Sequence, residues 1–234
     1  MYIYRMKKIK QNTYFVKQYI CNSMSHLKHI TNKNTDNFNA SDMIIMPESA
    51  LVMLHEYKES QYHKPYTFKI TNPKNNKSIY TSVREFTSPN DRAIYVPNWM
   101  MNSIGILDGH KIMLLSIELP DGDYIKFEPL DSNFFKISNP RVILENFLQN
   151  FKTLTLNQIL HLNYCGKNYT IKIIDLKPDH AILISNIDIK FEIVNNFEST
   201  NNNTNDPAIK SMKSEIFMKF IDDANKNVNY WSFF

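Results

Sequence analysis

One short pattern is written twice in this chain, fifty residues apart. Ile45-Met46-Pro47-Glu48-Ser49-Ala50-Leu51-Val52-Met53-Leu54 has the grammar of Tyr95-Val96-Pro97-Asn98-Trp99-Met100-Met101-Asn102-Ser103-Ile104. In each copy a β-rich run meets a proline. The proline stands where a helix can begin, because its missing N–H would have found no partner there. Ala50, Leu51 and Leu54 then answer to Met100, Met101 and Ile104. A repeat of this kind calls for two similar strand-plus-helix units packed face to face. The second copy also carries its own closing signals. Gly105 is placed to end the helix with a positive φ. Asp108-Gly109 turns the chain into a strand over Lys111 to Glu118.

The 234 residues leave room for one large domain or two small ones, and a hydrophobic content of 43% is enough for a real core. Only four glycines are present, and no GxGxxG or GxxxxGK[ST] can be written, which excludes a glycine-loop nucleotide site. The net charge of +4 is gathered at the N-terminus, where Arg5, Lys7, Lys8, Lys10, Lys17, Lys28 and Lys33 precede the first acid, Asp36. We read this as a solvated tail running into a first strand; a targeting peptide or a nucleic-acid arm is the alternative. No stretch is apolar enough for a membrane span. Cys21 and Cys165 are far apart and in no metal spacing, and read as reduced core thiols of an intracellular protein.

In chain order, residues 1–14 read as loose. Tyr14 to Leu27 is a strand pair or one bent strand, and the Asn-rich Lys28 to Ser41 a loop. Met43 to Met46 is a strand and Pro47 to Tyr57 a helix. Tyr66 to Thr71 is a strand, Asn72 to Lys77 a turn. Ser78 to Thr87 alternates, with Ile79, Thr81, Val83 and Glu85 against Tyr80, Ser82, Arg84 and Phe86. Pro120-Asp121-Gly122-Asp123 is a hairpin or a subdomain joint, followed by a strand over Tyr124 to Pro129. Asn139 and Pro140 are placed as N-cap and first turn of a helix whose Leu144, Phe147, Leu148 and Phe151 form one buried stripe. Strands follow at Leu156 to Tyr164, Tyr169 to Leu176, Ala181 to Ile184 and Ile189 to Val194, with turns at Cys165 to Asn168 and Lys177 to Asp179. Asn195 to Pro207 has linker composition. Ala208 to Ala224 reads as an amphipathic helix with Ile209, Met212, Ile216 and Phe220 on one side. Terminal Tyr230, Trp231, Phe233 and Phe234 either dock back or anchor a partner.

The search for chemistry returns little. His26 and His29 form an HxxH with no further ligand at metal spacing. His55, His110, His161 and His180 stand alone in the sequence. No GxSxG, HExxH, Cys-His-Asn, Asp-Thr-Gly or Asp-Ser-Gly occurs. Asp121, Asp123 and Asp179 read as turn residues. The residues lean against an enzyme, and no catalytic, cofactor or metal site is assigned.

An ordered set of motifs carries a resemblance. Ile44-Ile45-Met46-Pro47 with Ser49-Ala50-Leu51, then Tyr95, Pro97 and Trp99-Met100-Met101, then Lys126-Phe127-Glu128-Pro129, then Asn139-Pro140 with Leu144-Glu145-Asn146, Asn150-Phe151 and Leu154-Thr155 resemble the ubiquitin fusion degradation adaptor family. Lys177-Pro178, Ala181 and Asp188 extend the match, as do Phe15, Gln18-Tyr19 and Cys21. The resemblance spans Phe15 to Phe197. It implies a mainly β chain: a flexible stretch over 1–14, a double-psi β-barrel over 15–119, and a small mixed α/β subdomain over 120–197. A linker and C-terminal helix over 198–234 complete the division.

The resemblance further implies a non-catalytic adaptor, without cofactors. It would bind ubiquitin and polyubiquitin and deliver ubiquitylated substrates to an AAA ATPase segregase, alongside a zinc-finger partner, for retrotranslocation and proteasomal degradation. The implied place is the cytoplasm, extending to the nucleus or the endoplasmic reticulum surface. A version acting in protein import into a symbiont-derived plastid is the alternative. The family's Phe-x-Gly-x-Gly segment, which docks on the ATPase, is missing here, since no glycine follows Gly166. The helix from Ala208, with Ile209, Met212, Ile216, Phe220 and Trp231, is expected to replace those contacts. Pro47, Leu51, Pro97, Trp99, Met100, Met101, Phe147 and Phe151 are expected in the core, and no ubiquitin-contacting residue is assigned. A nucleic-acid-binding barrel is the reading from another class. The basic residues avoid aromatic platforms, which speaks against it.

Overall fold

The computed structural model describes residues 15–31, 34–57 and 65–197, together with the backbone of 216–219. The chain opens with strand β1 (Val16–Ser23), helix α1 (Met24–Thr31) and a short helix α2 (Asp36–Asn39). The first repeat unit is β2 (Met43–Ile45) and α3 (Glu48–Tyr57), leading to β3 (Thr67–Thr71) and β4 (Ser78–Glu85). The second is β5 (Ala93–Val96) and α4 (Asn98–Ile104), leading to β6 (His110–Ser116).

These six strands close into a barrel in the order β1-β5-β2-β4-β3-β6. Its pairing rules contain the repeat. β1 lies parallel to β5 and antiparallel to β6; β4 lies parallel to β2 and antiparallel to β3. Exchanging β5 with β2, β1 with β4 and β6 with β3 therefore reproduces the ring. The antiparallel contacts β2–β5 and β3–β6 map onto themselves, and Ile45 faces Tyr95, its own counterpart fifty residues on. This is the double-psi barrel: two interlocked units about a pseudo-twofold axis, with no open sheet edge to protect.

Each helix begins where its proline stands. Pro97, at φ −52° and ψ 136°, precedes α4, and Gly105 ends it at φ 69°, donating its N–H to the carbonyls of Asn102 and Met101. The barrel is filled by Tyr19, Ile44, Met46, Phe68, Ile70, Ile94, Val96, Ile112 and Leu114, all fully or almost fully buried.

The region between β1 and β2 departs from expectation. Met24 to Leu27 is helical rather than extended, and the expected loop from Lys28 is helical to Thr31 and again in α2. Ser23 caps α1, its Oγ accepting the His26 N–H at 3.0 Å, while its own N–H and hydroxyl go to the Asp108 carboxylate. Met24 and Leu27, one turn apart, cover Ile45 and Tyr95. The sequence shows so short a helix poorly because only two side chains pay its burial. The alternation expected for β4 is also lost: Ile79 to Ser82 are all buried, because the second subdomain covers the strand's outer face.

Past the barrel come β7 (Tyr124–Pro129), a 3₁₀ turn (Ser132–Lys136), α5 (Pro140–Leu148), β8 (Thr153–Thr155), β9 (Ile159–Tyr164), β10 (Lys167–Lys177), β11 (Ala181–Leu183) and β12 (Asp188–Ile193). The sheet order is β12-β7-β10-β9, and β8 pairs with β11 as a separate ribbon. α5 lays Leu144 and Leu148 onto a core of Ile125, Phe127, Leu160, Ile171, Ile173 and Phe191. Asn139 precedes it without a capping side-chain bond, so the helix start rests on Pro140 alone. Leu156 to Tyr164 is not one strand. It breaks at Asn157, whose φ is +65°.

Two further expectations are corrected. Cys165 is exposed, at φ +50° in the tight turn between β9 and β10, so it is no core thiol, whereas Cys21 is buried. Ile216 does not lie on a helix: Ile216–Lys219 forms strand β13, antiparallel to β12. Ile209, Met212, Phe220 and Trp231 lie outside the described residues, as do residues 1–14.

Candidate functional site

Of the residues the sequence singles out around Pro97, Trp99 stands at the seam between the barrel and the second subdomain. Trp99 is half-buried and packs against both cores at once. Its ring centre lies 6.2 Å from that of Phe151, which in turn packs on Phe147 at 5.1 Å. Its indole N–H donates to the Ser41 carbonyl at 3.0 Å, so the ring is fixed in two directions. Met100 and Met101 point the other way, into the barrel. Pro47, Pro97 and Phe151 are buried, while Leu51, Trp99 and Phe147 are only partly covered. For the last three, full burial is corrected. Trp99 and Phe147 keep a free face because they form the wall of a groove.

That groove runs along the seam. Its first section, a cavity of about 310 Å³, is lined by Trp99, Phe147, Phe151, Ile159 and Leu160, with Asn39, Asn98 and His161 at its rim. The second, about 560 Å³, shares Trp99, Ile159 and His161 and adds Asn102, Ser103, Asn157 and Gln158. A third section, about 260 Å³, continues past Ser103, Asn157 and Gln158 to Lys77. The lining holds amides, hydroxyls, apolar side chains, the His161 imidazole and Lys77, with no carboxylate.

Two polar tethers hold the seam beside the groove. Asp42 is almost fully buried, and its carboxylate accepts the backbone N–H groups of Lys152 and Thr153, each at 2.8 Å, and the Thr153 hydroxyl at 2.6 Å. Burial pushes this carboxyl up to about 6, against the hydrogen bonds that favour its charged form. On the far side Tyr80, from β4, shares a 2.8 Å hydrogen bond with His180 Nε2, and Asp179 holds the other ring nitrogen. Burial, and then the Asp179 charge, raise the Tyr80 hydroxyl. The joint between the units is Asp121-Gly122. Gly122 donates to the Leu183 carbonyl at 2.9 Å, and a Cβ there would come within 2.6 Å of the Ile182 side chain. None of Asp42, Tyr80 or His180 stood out in the sequence as a seam residue. Asp42 in particular looks like any turn acid.

The sequence-predicted basic arm is mostly outside the described residues. Of its members, Lys17 lies over the Tyr19 ring at 5.0 Å and Lys28 is on α1. Among the described residues, no group of three or more His, Cys, Asp or Glu side chains is placed to hold a metal. No described helix is long and apolar enough to cross a membrane.

Comparison with known proteins decides what this two-unit body is. Residues 15–120 match the model of "Ubiquitin fusion degradation protein UFD1, N-terminal subdomain 1", and residues 121–196 match that of N-terminal subdomain 2. This chain belongs to the UFD1 family. It is 35% identical to ubiquitin fusion degradation protein 1 of Saccharomyces cerevisiae over 146 residues, 62% of this chain and 39% of that one. It is 31% identical to the human ubiquitin recognition factor in ER-associated degradation protein 1 over 192 residues, 82% of this chain and 60% of that one. A Dictyostelium discoideum homologue of ubiquitin fusion degradation protein 1 is 33% identical over 179 residues, 75% of this chain and 53% of that one. The chain thus matches between about two fifths and three fifths of the length of these UFD1 relatives. The boundary between the two family subdomains, at residues 120 and 121, falls at the Asp121-Gly122 joint.

Proposed function

We propose that this UFD1-family chain is a non-catalytic adaptor that binds ubiquitin chains and delivers ubiquitylated proteins to an AAA ATPase segregase for degradation. The observation that carries the reading is the unbroken match of residues 15–196 to both UFD1 N-terminal subdomains, in a body whose two cores meet at Trp99. The names of the relatives supply the ubiquitin and the ER-associated degradation. The seam supports the absence of catalysis in its own way. Its best-placed acid, Asp42, is occupied by three donors, and the Tyr80 hydroxyl is occupied by His180.

The direct test is a titration of isotope-labelled protein with ubiquitin and with polyubiquitin, followed by amide shifts. A contiguous surface set should move, with single-ubiquitin affinity on the order of 10–100 µM. No movement with either ligand overturns the reading. The ATPase and the zinc-finger partner are a further step, which the segment past residue 205 would serve. Recovering the segregase equally well with and without residues 205–234 would remove that segment from the proposal.

A further inference from the structure

We propose that the seam groove is a docking site for an extended polypeptide segment of a partner, one with a bulky apolar side chain and a nearby carboxylate. The proposal rests on the adaptor reading for its biological setting, but its geometry is independent of where folded ubiquitin binds.

Three observations point to this occupant. The first is an open strand. β9 forms one border of the second sheet and pairs only with β10 among the described residues, so its outer edge offers backbone donors and acceptors. Ile159, Leu160 and His161 of this strand line the groove. An extended chain laid there would add a strand, the commonest way a sheet edge captures a peptide. The second is hydrogen-bonding capacity. Exposed Asn102 and Asn157 bring side-chain amides to the groove, each with a donor and an acceptor. A peptide main chain, which brings both an N–H and a C=O per residue, has the matching chemistry.

The third observation is the charge pattern. One end of the groove is apolar, built from Trp99, Phe147 and Phe151 with Ile159, itself 43% exposed. The middle is lined by the amides of Asn102, Asn157 and Gln158, with His161 beside them and no acid. The other end carries Lys77 and no acid. The complementary segment therefore places an aromatic or branched side chain against Trp99 and a carboxylate toward Lys77.

The probe for the test is reduced, carboxymethylated α-lactalbumin, which is permanently unfolded and rich in acids and aromatics; native α-lactalbumin is its folded control. The full chain should bind the labelled unfolded probe saturably and the native protein at least tenfold more weakly. Ile159→Asp and Asn102→Arg change exposed side chains, so the fold is retained; each should weaken probe binding at least tenfold. Val52→Asp, exposed on α3 away from the groove, should leave it unchanged. Unaltered probe binding in Ile159→Asp and Asn102→Arg overturns the proposal. Amide shifts with ubiquitin, measured on the same variants, keep the two readings apart: ubiquitin binding retained with probe binding lost supports a separate groove site. A photo-crosslinker at position 102 identifies the occupant. Crosslinks to the probe support the proposal. Crosslinks to the chain's own residues 220–234, or to a second copy, assign the groove elsewhere and overturn it.

Discussion

The two halves of the barrel share one strand–proline–helix unit, yet two of the matched positions at which they differ decide how the second subdomain docks. Fifty residues on from Asp42 stands Arg92, and fifty on from Ser49 stands Trp99. Asp42 is buried and tied to Lys152 and Thr153, whereas Arg92 is exposed. Trp99 joins two cores; the Ser49 hydroxyl is buried without a partner. Where both copies must face inward, as at Leu54 and Ile104 or Pro47 and Pro97, the chemistry is kept. The pseudo-twofold is thus preserved where the barrel closes on itself. It is broken where the second subdomain docks. The docking of the second subdomain is written in the departures from the repeat.

The largest effects should come from the matched core pair. Leu54→Ala and Ile104→Ala each empty a site that is about 1–2% exposed and should cost about 2–5 kcal/mol. Urea unfolding of both variants measures it. If one is nearly neutral while its counterpart is severe, the two halves are not structurally equivalent and the comparison fails.

Next come the broken positions. Asp42→Asn keeps the shape but turns an NH₂ group toward the Lys152 or Thr153 amide, leaving a buried donor facing a donor. That should cost about 2–3 kcal/mol. Arg92→Gln at the matched position should stay within about 0.5 kcal/mol. Equal costs at the two positions would mean that Asp42 does not tether the seam.

What the sequence made legible follows from these contrasts. The barrel was readable because its signal is local: a proline and apolar run written twice, with a glycine and an Asp-Gly turn closing the second copy. The closing pairings, such as Ile45 against Tyr95, follow once the two copies are placed in a double-psi barrel. Of the expected α5 stripe, Leu144 and Leu148 were readable from their spacing; Phe147 is half-covered, and Phe151 is buried but lies past the helix end at Leu148. α1 was not, because its cap at Ser23 and its two buried residues lie in a polar, Asn-rich setting. The seam was the least legible part. Asp42 and Thr153 are 111 residues apart, and Tyr80 and His180 are 100 apart. No periodicity connects such pairs. Trp99 reads as core because half of it is core; its second allegiance, to Phe151, depends on how two folded units dock.

Trp99→Ala sharpens this last point. Removing the ring should cost about 2 kcal/mol, less than a fully enclosed aromatic, because one face already borders the groove. Its distinctive consequence is a loss of cooperativity. Fluorescence probes placed in the barrel and in the second sheet should unfold together in the wild type and apart in the variant. Coincident transitions in the variant would show that Asp42 and the Tyr80–His180 contact suffice to couple the units.

The smallest effect is on pH dependence, and it again separates Asp42 from Arg92. Burial raises the folded-state Asp42 carboxyl from 3.8 to about 6, so the folded protein holds this proton more tightly than the unfolded chain does. Its contribution is fully present below about pH 4 and is lost as pH rises through about 6. Between pH 5 and pH 7 the wild type should lose about 1 kcal/mol through this group. Asp42→Asn has no proton to lose there, so its stability should change less over the same interval. Arg92→Gln should keep the wild-type slope, since it leaves Asp42 and its three donors in place. Parallel slopes for the wild type and Asp42→Asn would mean that the three donors hold Asp42 ionised across the whole range. The seam would then be a fixed anion site rather than a group that titrates with the fold.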